Sequence, residues 1–132
     1  MKKVEKAMMF VWRDNNGIPE FFVLHRTIGD RVILTGHLEA GETPSEAANR
    51  EIQEELGVLP LSLQAIPYIS EVILEDGHKQ SVEHPFLVQI PNQPVEFLEY
   101  EARGEWHPFA ELTNLLTYEG QKSVLPYIEK II

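Results

Sequence analysis

Apolar and aromatic side chains crowd residues 5–12, thin out around Asp14, and crowd again from Phe21 to Leu24. Short apolar runs bounded by turn residues read as buried strands. Asn15-Asn16-Gly17, between the two runs, suits a tight hairpin turn that needs positive φ angles. The pattern therefore predicts a first strand over 5–12, a return strand over Glu20–Arg26 and a third over Arg31–Thr35. Ser70–Glu75 and Ser81–Ile90 form a predicted strand pair joined by a polar loop at Asp76-Gly77-His78. Pro91-Asn92-Gln93-Pro94 marks another turn, followed by a short strand at Val95–Phe97. Helices are predicted over Pro108–Leu116 and Gln121–Ile131, the latter kinked or broken at Pro126.

The sharpest element lies between these strands. Thr43-Pro44-Ser45-Glu46 combines an N-cap, a proline at the first helical position and the glutamate of a capping box. A helix should start at Pro44, run to Leu56 and stop at Gly57, the residue type favoured just past a helix end. On a wheel of 100° per residue, Glu54 falls about −60° and Glu55 about +40° from Glu51. Ala48, Ile52 and Leu56 form the adjacent apolar stripe, suited to packing on a sheet. Arg50 lies on the other flank. The whole is an α+β pattern with strands on both sides of one central helix.

Three like charges on one narrow face destabilise an isolated helix by a few tenths of a kcal/mol per pair. A hard divalent cation would offset that cost, because Mg²⁺ takes oxygen ligands and commonly binds through carboxylates and substrate phosphates. Taken alone, the carboxylates are explained at least as well by a solvated acidic face.

Composition narrows the classes. The chain has 132 residues, suiting one domain over 1–132, with 43% apolar and 24% charged residues. The net charge of −10 argues against a nucleic-acid polymer as partner. No apolar run approaches the ~20 residues that span a bilayer, and no signal-peptide core follows the basic start. The sequence contains no cysteine, which excludes disulfides and thiolate metal sites. These features predict a cytoplasmic protein with no membrane partner, either a monomer or a homodimer.

Residues 36–58 change the weighting of the acidic face. Gly36, Glu42, Arg50, Glu51, Ile52, Glu54, Glu55, Gly57 and Val58 stand at every defined position of a glycine–glutamate–Arg-Glu-aliphatic-x-Glu-Glu-x-Gly-aliphatic signature. On these residues the chain resembles the Nudix hydrolase family. The resemblance implies an α/β/α sandwich with a mixed β-sheet between helices. It also implies Mg²⁺-dependent hydrolysis of a pyrophosphate bond in a nucleoside diphosphate derivative, with Mn²⁺ as an alternative cation. Glu51, Glu54 and Glu55 are then expected metal ligands, and Glu51, Glu54 and Arg50 the catalytic group. Arg50 is expected to orient a glutamate, with Glu42 as a candidate partner. Gly36 and Gly41 let the preceding loop turn tightly, and His37 and Arg26 are candidates for reaching phosphate.

Many relatives recruit a further carboxylate from outside this segment. Glu99, Glu101 and Glu105 are the candidates here, with Glu99 and Glu101 preferred as metal ligands. Trp106 reads as framework, His84 as a structural histidine and His78 as a loop-tip residue, while His25 and Arg26 end a strand beside the site. Thr35-Gly36-His37-Leu38-Glu39, Val82-Glu83-His84-Pro85-Phe86, Phe97-Leu98-Glu99, Trp106, Thr117 and Gln121 are similar to the dihydroneopterin triphosphate and dATP pyrophosphohydrolase branch. That similarity implies a small-molecule triphosphate cut to a monophosphate and pyrophosphate. Dinucleoside polyphosphates, ADP-ribose or other nucleotide sugars, oxidised nucleoside triphosphates, and a non-catalytic nucleotide-binding module are the competing readings.

Overall fold

The computed structural model describes residues 2–73, 77, 79–97 and 101–132. Strand β1 (Lys2–Asn15) turns at Asn16 and Gly17, both at positive φ, into the antiparallel strand β2 (Ile18–Arg26). This is the hairpin predicted at that point, although β1 extends beyond 5–12 at both ends. The single strand expected at Arg31–Thr35 is two. Strand β3 (Arg31–Val32) pairs with β2, and β4 (Leu34–His37) crosses to pair with β1.

Helix α1 (Pro44–Leu56) has the predicted ends. Thr43 and Glu46 form the reciprocal capping box, and Gly57 closes the helix at φ 68° while its N–H donates to the Gln53 carbonyl. Strands β5 (Ser62–Ala65), β6 (Ser70–Ile73) and β7 (Lys79–Gln89) follow, with β5 and β6 both antiparallel to β7. Strand β7 runs parallel to β1 from Lys2↔Lys79 to Trp12↔Gln89, which makes the sheet mixed.

Several expectations need correction. No strand forms at Val95–Phe97, whose backbone is irregular. Instead β8 (Ala102–Pro108) pairs with β2 along its length. The helix expected over Pro108–Leu116 is a 3₁₀ turn at Phe109–Glu111 followed by α2 (Leu112–Leu115). The terminal helix is two short ones, α3 (Glu119–Lys122) and α4 (Leu125–Glu129). Pro126 lies in the first turn of α4, where its missing N–H costs nothing, so it opens a helix instead of kinking one.

Alternation along the strands sorts the core into two layers. Ala7, Met9 and Val11 of β1, with Phe22 and Leu24 of β2, pack against Ala47, Ala48, Ile52 and Leu56 of α1. Met8, Phe10, Phe21 and Val23 face the other way, onto Leu112, Leu116, Val124, Leu125 and Ile128. The sheet therefore lies between α1 on one face and α2–α4 on the other, the expected α/β/α sandwich. No helix among the described residues is long and apolar enough to cross a membrane.

Candidate active site

Arg50 is the hub of the acidic face. Its guanidinium has five N–H donors in a fixed fork, and each has a partner. Nε and Nη2 grip the two carboxylate oxygens of Glu42 at 2.8 and 2.9 Å. Nη1 donates to Glu51 Oε1 at 2.7 Å and to Glu54 Oε2 at 3.1 Å. The remaining Nη2 donor reaches the His37 carbonyl at 2.9 Å. One side chain thus ties the loop before α1 to two carboxylates of the helix. Glu42 also accepts from the Glu39 amide at 2.9 Å, closing the loop upon itself. The Arg50 guanidinium, with the Glu39 N–H, holds the Glu42 carboxyl at about 2, far below its ordinary range. Glu42 and then Glu51 raise the Arg50 pKa in return, so Arg50 stays charged at any working pH.

Gly36 supplies the seat for Glu51. A Cβ built on Gly36 would lie 2.4 Å from both Cγ and Cδ of Glu51 and 2.8 Å from its Oε1. Only a residue without a side chain lets the glutamate lie against β4 there. Glu51 is mostly covered, with 13% of its side chain exposed, whereas Glu54 is 56% exposed. Glu55 is partly buried further along the same face. The donor set consists of hard carboxylate oxygens, and the glycine seat presents one of them at the end of a strand. Among the described residues, no three acidic or histidine side chains already stand together as a metal cage.

None of the other described candidate side chains bonds to Arg50. Glu99 falls outside the described residues. Glu101 is exposed, and its carbonyl accepts from Thr27 N–H at 2.9 Å, which ties it to the turn after β2. Glu105 points to the α2–α4 side of the sheet, away from α1. Arg31 Nε donates to it at 2.9 Å, and His107 Nε2 lies 3.1 Å away. Arg31, and after it His107, hold its carboxyl at about 2. Arg26 is paired with Asp30, which also accepts from the Tyr118 hydroxyl at 2.8 Å. His37 contributes its carbonyl to Arg50 while its ring is not part of that network. His84 sits 3.1 Å from Glu5. Trp106 is framework: it packs edge-on to Phe22 at 5.3 Å, with the Arg13 guanidinium 3.9 Å from its ring centre.

One feature escaped the sequence pattern. On the α2–α4 side, a cavity of about 380 Å³ opens between Lys6, Thr35, Ser81, Glu83, Tyr118 and Gln121. Burial pushes the Glu83 carboxyl up, and the Lys6 ammonium opposes that only in part. A larger cleft of about 680 Å³, beside Pro44, Ile66, Tyr68 and Phe86, has no acidic residue in its lining.

The NUDIX domain model matches residues 2–128, nearly the whole chain. The chain belongs to the NUDIX family. Among curated relatives, it is 28% identical over 99 residues to a putative mutator protein MutT4 of Mycobacterium tuberculosis, covering 74% of this chain and 40% of that one. It is 35% identical over 65 residues to the 8-oxo-dGTP diphosphatase of Escherichia coli, covering 46% of this chain and 48% of that one. The aligned stretches thus cover less than half of either relative. A C. elegans Ap4A hydrolase in a binary complex shares the fold at a TM-score of 0.80, with 20% identity over 97% of this chain and 96% of that one. At that identity the likeness speaks for the fold alone.

Proposed function

We propose that this Nudix chain is a Mg²⁺-dependent pyrophosphohydrolase acting on a small nucleotide or nucleotide-like triphosphate. The observation that carries the reading is Arg50, which gathers Glu42, Glu51 and Glu54 while Glu51 rests on Gly36. A merely solvated acidic helix has no need of a glycine seat or of a guanidinium with every donor used.

Glu51, Glu54 and Glu55 would hold the cation. When bound, Mg²⁺ neutralises diphosphate oxygens and lowers the pKa of a coordinated water. The protein's own part is orientation and proton transfer. Arg50 fixes the rotamers of Glu51 and Glu54, and Glu42 fixes Arg50. A carboxylate of this group takes the proton of the attacking water, as a positioned general base does. The hydroxide oxygen bonds to one phosphorus as the bridging P–O bond breaks, leaving a monophosphate and pyrophosphate from a triphosphate. The cation also addresses the net charge of −10, which otherwise repels the substrate. Mn²⁺ suits the same oxygen donors. Glu101, and Glu99 outside the described residues, are the proposed additional ligands.

The triphosphate preference follows the resemblance at Thr35, His37 and the Val82–Phe86 segment. The E. coli relative named a diphosphatase of 8-oxo-dGTP supports it. The test is a panel of dGTP, dATP, dihydroneopterin triphosphate, Ap4A and ADP-ribose with Mg²⁺, read by product identity. Pyrophosphate release from a triphosphate supports the proposal. AMP from ADP-ribose, with no turnover of any triphosphate, would overturn the substrate assignment.

A further inference from the structure

The cavity on the α2–α4 side is lined by Ser81 and Glu83 of β7, with Lys6, Thr35 and Gln121 around them. Ser81 and Glu83 are two residues apart on β7 and so face the same side of the sheet. Lys6 stands opposite Glu83 in the parallel β1–β7 register. Ser81 is 3% exposed, and its Oγ has no hydrogen-bond partner. Such a group is costly to leave unmet and points to a partner supplied from outside. Gln121 is 8% exposed, and its Oε1 accepts the Ile33 amide at 3.0 Å. That bond fixes the amide plane and leaves its NH₂ as the end not held by Ile33. Arg26 and Tyr118 are taken up by Asp30, so they shape the cavity without reading what enters it.

The cavity is joined to the acidic face through one strand. Thr35 lines it, and the next residue, Gly36, carries the Glu51 side chain on the opposite side of β4. The cavity and the Glu51 carboxylate thus lie on opposite sides of adjacent residues of β4. Its volume of about 380 Å³ is near the lower end of small-molecule sites, which suits one bicyclic ring and not a second nucleotide.

We propose that Glu83 is a specificity-determining residue that reads the N–H and adjacent amino group of a 2-amino-lactam ring, the edge shared by guanine and 2-aminopterins. The choice rests on donor count. An ionised carboxylate only accepts, through two oxygens in one plane. Two parallel N–H donors on a flat ring match it in a bidentate pair, as a guanidinium does. Adenine offers a donor beside an acceptor nitrogen and leaves one carboxylate oxygen facing a lone pair. Ser81 and the Gln121 amide remain for other polar positions of the ring, while Val32 and Ile33 supply apolar wall. This assignment rests on the proposed function only for the placement of the phosphates.

The test measures binding without turnover. In EDTA, GMP, AMP, guanosine and phosphate-free neopterin are titrated calorimetrically into the full chain, into Glu83→Gln and into Glu83→Asp. The wild type is expected to bind GMP at least about tenfold more tightly than AMP, the size expected for one charged hydrogen bond. Glu83→Gln places a donor beside an acceptor and should bring that ratio to one or invert it. Glu83→Asp keeps the charge but withdraws the carboxylate, so it should weaken GMP while retaining the preference. Tighter neopterin than guanosine binding would make the ring a pterin, and the reverse a purine. Equal wild-type affinities for GMP and AMP would overturn the proposal. So would an unchanged ratio in a Glu83→Gln protein with native circular dichroism, or a lost preference in a folded Glu83→Asp. If no anhydride is cleaved in the substrate panel but the GMP preference and its loss hold, the ring assignment stands and the catalytic reading fails.

Discussion

Gly36→Ala separates the geometry of the acidic face from the stability of the fold. The new methyl would lie 2.4 Å from Cγ and Cδ of Glu51, whereas ordinary contacts begin at 3.4 Å. The Glu51 side chain must therefore move by about 1 Å, and its 2.7 Å bond from Arg50 must stretch or break. A 1 Å misplacement of a catalytic group costs about 100-fold in rate. Stability should change little. Gly36 has no positive φ, so alanine is conformationally tolerated, and the lost chain entropy of glycine favours the variant by about 0.4–1 kcal/mol. Displacing the far end of a flexible side chain offsets that gain. With 132 residues, 1 kcal/mol corresponds to about 4 °C in Tm, so the melting point should stay within about 4 °C of wild type. The assay is kcat at saturating Mg²⁺ beside a thermal melt. Wild-type kcat in the folded variant would refute the claim that Gly36 exists to seat Glu51. A collapse in stability would show that the contact is with the framework and not with a movable side chain.

Three further outcomes follow from single contacts. Arg50→Lys keeps one positive charge but cannot grip both Glu42 oxygens while reaching Glu51, Glu54 and the His37 carbonyl. Its kcat should fall about 100-fold with circular dichroism unchanged, measured at saturating Mg²⁺. Glu105 is depressed from 4.5 to about 2 by Arg31 and then His107, so its stabilising effect is full above pH 4.5 and fades as pH falls towards 2. Glu105→Gln should lower Tm at pH 7, and its gap from wild type should close over that acid window in a pH series of melts. Gly57→Ala forces alanine to φ 68° with no neighbour within 4 Å, so the cost is purely conformational. It should be about 1 kcal/mol, or about 4 °C in Tm, with kcat preserved.

Local chemistry made part of the structure legible. The capping box, the proline and Gly57 delimit α1 because helix ends are set by nearby residues. The Arg50–Glu42 clamp was a candidate from the family resemblance, whose motif spans both residues in one loop–helix unit. Strand β8 was missed because its alternation is disguised. Ala102, Gly104 and Trp106 face α1, while Arg103, Glu105 and His107 face the other side. Gly104 weakens any strand propensity, yet a Cβ there would strike the Phe22 ring at 2.4 Å. Strand β5 has little burial pattern to detect, since three of its four residues are exposed. The cavity was illegible because Lys6, Thr35, Ser81, Glu83 and Gln121 meet only through the β1–β4 and β1–β7 pairings and the placement of α3. Nothing local to any one of them signals the others.

The central claim is that Glu51 and Glu54, presented by Gly36 and Arg50, hold a divalent cation. Titration of Mn²⁺ followed by electron paramagnetic resonance measures this directly, on wild type and on the near-isosteric Glu51→Gln and Glu54→Gln. Saturable binding by the wild type is expected. Each variant should weaken it at least about tenfold while melting within about 4 °C of wild type. Unchanged Mn²⁺ affinity in both folded variants would contradict the account.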